Sequence, residues 1–375
     1  MIPRFNIYRL LGFVVLLCAL SSCSDDSEQL GDKTTVTLSI STADLTSSNA
    51  GEGSRAAGAG TATDKDYKVT DLSVYIFNDK GDVIGSGYSG GTIMTSTTHK
   101  FAVDVTTRKA TNCTVYAIVN AGTVDNPNAF AGMSKKSEFD AKTIALQRAS
   151  DLDDTTKPLL MFGRLTGFNT ETKDADILVS RLASKFDFTI TVQDDEVSKL
   201  PITVDSYQLC SVPKSSSYVL PTDLAALKKV TDCEDEQVVK LTKGATFNFT
   251  KYIYDNGVGK GTAVPDWQHR EQKDAPQKAT YLKIDAHTDV WKSTYYVYLG
   301  GKALDETGTQ YDYSDFTIYP NYHYTVNITI KGSGNAENGL RVDYKAKPYY
   351  GKIKVDPWST DTKKNISNPI DLNNP

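Results

Sequence analysis

The sequence predicts an all-β chain of two tandem antiparallel β-sandwiches, and three observations carry that prediction. Short runs in which apolar and polar residues alternate recur along the chain, the two-residue period of a strand with one buried face. Turn residues separate the runs, while helical periodicity is nearly absent. Tyr is abundant at 21 residues and Met scarce at 4, and a Tyr- and Thr-rich composition favours strands over helices.

In chain order, Val36, Leu38 and Ile40 alternate with Thr and Ser in the first run. Leu72 to Phe77 leads through Asn78-Asp79-Lys80-Gly81 into Val83-Ile84, which reads as strand, Gly-bearing turn and return strand. Phe101 to Val105, Cys113 to Val119, Ile177 to Val179 and Phe186 to Val192 are further strands. So are Tyr207 to Leu209, Thr246 to Phe249, Tyr281 to Ile284 and Tyr295 to Leu299. Tyr322 to Ile330 is the longest regular alternation, and Lys352 to Val355 closes the series. Ser137 to Leu146 and Asp223 to Val230 read as short helices within connections. Thr46 to Asp66, Asn256 to Gln277 and Ser359 to Pro375 lack a core pattern and read as loops or chain ends. With 375 residues, two domains are the default. The division falls near Ser180, giving sandwiches over 56–180 and 181–358 and a polar tail over 359–375.

The N-terminus sets the compartment. Arg4 and Arg9 precede an apolar stretch from Leu10 to Leu20, too short to span a bilayer and flanked as a signal peptide is. Leu20-Ser21-Ser22-Cys23 resembles a bacterial lipobox. On that reading residues 1–22 leave and Cys23 is acylated, so that lipid rather than a helix holds the precursor to the outer membrane. Ser24-Asp25-Asp26-Ser27-Glu28 is similar to the signal that sends Bacteroidetes lipoproteins to the outer face of that membrane; a solvated acidic linker is the plainer reading. Of the remaining cysteines, Cys210 and Cys233 could pair in an oxidising compartment, or Cys113, Cys210 and Cys233 are all small buried residues.

Several functions are argued against. The net charge is −5 and no Lys/Arg block interleaves with aromatics, so nucleic acid is not an expected partner. Gly85-Ser86-Gly87-Tyr88-Ser89-Gly90-Gly91 fits both a dinucleotide fingerprint and a nucleophile elbow, but Thr92 to His99 is not the helix that either requires. A hairpin-end loop is expected there instead. His99, His269, His287 and His323 lack metal-ligand spacing. Asp151, Asp153 and Asp154 lack the Gly and Glu of a calcium loop. No catalytic residue, metal or cofactor is expected.

The order of the motifs resembles the fimbrillin family of Bacteroidales, the major and accessory subunits of type V pili. After Cys23 comes the strand around Val36-Leu38-Ile40, then a small-residue loop with Arg55-Ala56. Val69-Thr70-Asp71-Leu72-Ser73-Val74-Tyr75-Ile76-Phe77 resembles the family's first strand after its processing loop. Cys113 to Asn120-Ala121-Gly122 resembles its V-Y-x-x-x-N-A-G strand end. Val179 to Asp187 is similar to the R-L-x-x-K start of its second domain. Tyr319-Pro320-Asn321-Tyr322-His323-Tyr324 and Val355-Asp356-Pro357-Trp358 resemble its closing motifs. The resemblance implies two transthyretin-like domains and a fimbrial subunit at the cell surface, whose partners are copies of itself, related subunits and an Arg-specific protease.

The residues give that reading a physical logic. Gly51, Gly53, Gly58 and Gly60 flank Arg55, and small flexible segments are favoured cleavage sites. A cut between Arg55 and Ala56 severs the strand of Val36, Leu38 and Ile40, in a propeptide over 23–55, from the body. The vacated groove then accepts a donor strand from a neighbour. Ile353, Val355, Ile366, Ile370 and Leu372 are the candidate donor positions, with Pro369 limiting the length of any one strand. The alternative is a surface lipoprotein that binds glycan or another ligand, with Trp267 and Trp291 as stacking platforms.

Overall fold

The structure is a computed structural model describing residues 32–42, 64–94, 100–122, 129–226, 229–305, 310–334 and 339–348. Among the described residues, the strands of the first half are β1 Lys33–Thr42, β2 Val69–Phe77, β3 Val83–Met94, β4 Lys100–Arg108, β5 Cys113–Val119, β6 Thr143–Ala145, β7 Met161–Phe168 and β8 Asp174–Arg181. The second half holds β9 Ala183–Val192, β10 Thr203–Cys210, β11 Val212–Pro213, β12 Ser215–Ser217, β13 Thr231–Asp232, β14 Gln237–Leu241, β15 Thr246–Tyr254, β16 Tyr281–His287, β17 Lys292–Tyr298, β18 Tyr322–Ile330 and β19 Leu340–Pro348. Among the described residues the short helices α1 Asp64–Tyr67 and α2 Lys136–Ala141 sit in connections. The all-β class expected from the alternation is the class observed.

The first-half strands close in the order β1-β4-β3-β2-β5-β7-β8. Their inward residues, among them Leu38, Val74, Val115, Leu165 and Val179, form one buried core. Strands β14-β10-β16-β17 and β15-β9-β18-β19 make two four-stranded sheets. Phe188, Leu209, Ile284, Val297 and Val326 from both sheets share a second core, the arrangement of a sandwich. A third cluster joins the halves: Phe77, Tyr116 and Phe162 pack with Leu182, Leu220, Tyr252 and Tyr254. Pairing is antiparallel except at β1–β8 and β9–β18 among the described residues.

The Gly tract Gly85 to Gly91 is strand rather than the expected loop, because it lies inside β3. The reason is close approach. A Cβ on Gly85 would stand 2.6 Å from the Thr107 Cβ, and one on Gly87 would stand 3.0 Å from the Val105 Cγ2. Glycine lets β3 come against β4 and close the sheet.

The expected helices are also shorter. Beyond α2, residues 143–145 extend and pair with Ser215–Ser217. Among the described residues from Asp223 to Val230, Leu224–Ala226 forms a single short turn, and the Val230 carbonyl accepts from the Lys214 N–H at 2.9 Å instead of serving a helix. Cys210 and Cys233 form a disulfide, and Cys113 is free and buried. The Asn256 to Gln277 stretch is a loop, as expected, and it packs inward through buried Trp267 and Arg270.

Candidate functional site

The first strand is the candidate site, and its sequence explains its seat. Alternation places Val36, Leu38 and Ile40 on one face, and all three are fully buried, while Thr35 is exposed on the other. β1 is gripped on both edges. Against β4 it runs antiparallel from Lys33↔Arg108 to Ser41↔Lys100. Against β8 it runs parallel from Thr37↔Asp174 to Thr42↔Val179. Thr37 adds two polar ties, its N–H to the Lys173 carbonyl at 2.6 Å and its hydroxyl to Asp104 Oδ1 at 2.7 Å. At the strand's start Lys109 pairs with Asp32 at 3.2 Å, an exposed contact.

Burying these three side chains contributes roughly 4.5–9 kcal/mol, at about 1.5–3 kcal/mol each. That is comparable to the whole stability of an ordinary domain, about 5–15 kcal/mol. Without β1, the facing edges of β4 and β8 carry unpaired backbone groups above an open apolar floor. Such an edge recruits another strand.

Residues 43–63 connect β1 to α1, and the chain beyond them is bolted down by side chains the sequence reading left in a loop. Asp66 is fully buried. Its carboxylate accepts from the Tyr252 hydroxyl at 2.8 Å and lies 3.4 Å from Lys185 Nζ. Its carbonyl accepts from the buried Arg181 guanidinium. Lys65 donates to the carbonyls of Leu152 and Asp154 and sits 4.8 Å over the Tyr252 ring. Burial pushes the Lys65 ammonium down to about 8. The signal for this anchor was faint, since Asp64-Lys65-Asp66-Tyr67 looks solvated and only its tertiary partners show otherwise.

Strand β19 also escaped the sequence reading. It pairs with β18 from Tyr322↔Pro348 to Ile330↔Leu340 at a sheet edge. Leu340, Val342, Tyr344 and Ala346 are buried, and Arg341, Asp343, Lys345 and Lys347 are exposed.

Of the residues singled out in the sequence, Val36, Leu38 and Ile40 come together in this site. Cys23, Arg55, Ala56, Ile353, Val355, Ile366, Ile370 and Leu372 lie outside the described residues. Trp267 offers no open stacking face. Trp267 is buried against Tyr311, Tyr313 and Tyr344, with Arg270 over its ring. Trp291 is part-buried and donates its indole N–H to Asp195 at 2.8 Å. Among the described residues no group of His, Cys, Asp and Glu gathers as a metal site, and no helix is long and apolar enough to cross a membrane.

Comparison with known proteins fits this geometry. Residues 34–205 match the model of the major fimbrial subunit protein (FimA), a span that starts within β1. Residues 251–328 match a domain of unknown function, DUF4906. No curated protein sequence matches the chain. A Parabacteroides distasonis protein named for cell adhesion is similar in structure, with TM-score 0.58 and 14% identity over 85% of this chain and 98% of its own. The tip fimbrial protein Mfa3 of Porphyromonas gingivalis aligns with TM-score 0.52 and 13% identity, covering 84% of this chain and 99% of its own. The fimbrilin of Porphyromonas gingivalis W83 aligns with TM-score 0.51 and 16% identity, covering 84% and 98%. With the FimA model beginning inside the buried first strand and running into the second half, residues 34–205 are similar to the major fimbrial subunit family, and the chain shares the fold of solved Bacteroidales fimbrial proteins.

Proposed function

We propose that this chain is a structural subunit of cell-surface fimbriae that polymerises by protease-triggered donor-strand exchange and supports adhesion. The observation that carries the reading is the seat of β1: three fully buried apolar side chains on a strand that residues 43–63 connect to the body. The precursor is held to the outer membrane by lipid on Cys23. An Arg-specific protease cuts between Arg55 and Ala56, β1 leaves, and the groove between β4 and β8 takes a strand from another copy or a related subunit. Because donor and acceptor surfaces differ, the contact does not close on itself and builds a filament. The donor lies in 352–372, with Ile353, Val355, Ile366, Ile370 and Leu372 as its apolar positions. The domain division accompanying this reading is a propeptide over 23–55, bodies over 56–180 and 181–358, and a tail from 359.

The test is N-terminal sequencing of assembled fibres. The reading expects a start at Ala56. Fibres whose subunits begin at Cys23 would contradict it.

A further inference from the structure

Asp255 follows β15 directly and is fully buried. One carboxylate oxygen, Oδ1, accepts from both Lys229 Nζ and Ser216 Oγ at 2.8 Å. The other, Oδ2, is buried with no hydrogen-bond partner. Lys229 is buried too, and it also donates to the Ser215 carbonyl at 3.0 Å. A buried ion pair is costly unless every lone pair is satisfied, and an orphaned carboxylate oxygen is more so. We propose that Lys229 and Asp255 are the site of a self-formed isopeptide cross-link between the Lys229 Nζ and the Asp255 Cγ.

The reaction balances without a co-reactant. A proton passes from the Lys229 ammonium to the carboxylate, leaving a neutral amine beside a neutral acid. The amine lone pair forms the Nζ–Cγ bond, the Cγ–Oδ2 bond breaks, and Oδ2 departs as water with two protons from Nζ. Oδ1 remains as the amide carbonyl and keeps the Ser216 hydroxyl as its donor. The product holds neither a buried charge nor an orphan oxygen.

Two other lysine–carboxylate contacts show why this one is singled out. Lys251 touches Asp153 at 2.7 Å and Glu234 at 2.6 Å. Burial opposes its charge, but those carboxylates raise it overall, so it stays an ammonium and a poor nucleophile. Lys185 lies farther from its partner, at 3.4 Å, and Asp66 there is occupied by the Tyr252 hydroxyl. At Lys229 burial wins and lowers the ammonium below its ordinary value, which favours the amine that attack requires. The cross-link would tie the segment already closed by Cys210–Cys233 to the end of β15.

Intact mass of the folded full chain, measured after reduction and denaturation and followed by tryptic mapping, tests the proposal. Wild type is expected one water lighter than its sequence at this site, with no tryptic cut after Lys229 and a branched peptide joining the Lys229 and Asp255 segments. Lys229→Arg and Asp255→Ala should lose the branched peptide, while Lys251→Met should keep it. Asp255→Asn should reach the wild-type mass by releasing ammonia. Wild type cut by trypsin after Lys229, with its full sequence mass, would overturn the proposal without recourse to any variant.

Discussion

Leu38 is a core residue of a strand that, on the proposed reading, does not stay. Leu38→Ala should therefore destabilise the uncleaved chain by about 2–5 kcal/mol, the usual cost of emptying a buried leucine site. The same substitution should leave the assembled, processed subunit unchanged. Urea denaturation before processing and after fibre assembly separates the two cases. Gly85 makes a different demand, since its missing Cβ is what lets β3 meet Thr107. Gly85→Val should cost about 1–3 kcal/mol through overpacking, read as a lower urea midpoint with an unchanged slope.

Cys113 is held in the barrel core, where burial pushes its thiol up to about 11. At pH 8 almost none is thiolate, the form that reacts. Iodoacetamide should then leave Cys113 unlabelled in the folded chain and label it on unfolding. Residue-scale roles of this kind were only partly legible. Val36, Leu38 and Ile40 were readable because period-two alternation is a local signal. Buried Lys65 and Asp66 were not, because the partners that make their burial possible come from Arg181, Lys185 and Tyr252 far along the chain.

At the scale of elements, β5 and β18 coincide with the runs read from the sequence, Cys113–Val119 and Tyr322–Ile330. Both are rich in β-branched and aromatic residues that fit a pleated, half-buried surface. β19 was missed although its alternation is regular. Its outward positions are charged and one inward position is only Ala346, so its mean polarity hid its period. The Gly tract in β3 misled for the opposite reason, since glycine signals a turn locally and a close strand contact only once β4 is in place.

The connection between β1 and α1 carries the element-scale prediction. Arg55→Ala should leave the precursor uncut by an Arg-specific protease. Gel mobility checks it, and removal of the leader from Arg55→Ala would move the processing site elsewhere. α1 should stay docked after the cut, because Asp66 and Lys65 hold it to β9, β15 and the Ala149–Asp153 turn rather than to β1.

For the whole molecule, the halves share the cluster of Phe77, Tyr116 and Phe162 with Leu220, Tyr252 and Tyr254. On the proposed reading, loss of β1 would open the first core without touching that junction, and the body would keep its shape as the groove becomes available. On the proposed reading the tail from Ser359 is the other participant. Deletion of 359–375 should give folded, processed subunits that cannot extend a fibre, and normal polymer ladders from that deletion would place the donor elsewhere.

Strand replacement itself is tested most directly by treating purified full chain with an Arg-specific protease, then following the released 23–55 peptide by mass spectrometry and the remainder by denaturing gel and electron microscopy. The account predicts a body starting at Ala56, free leader peptide, and ladders and filaments that appear together. A cleaved body that keeps the leader peptide bound and remains monomeric would contradict it.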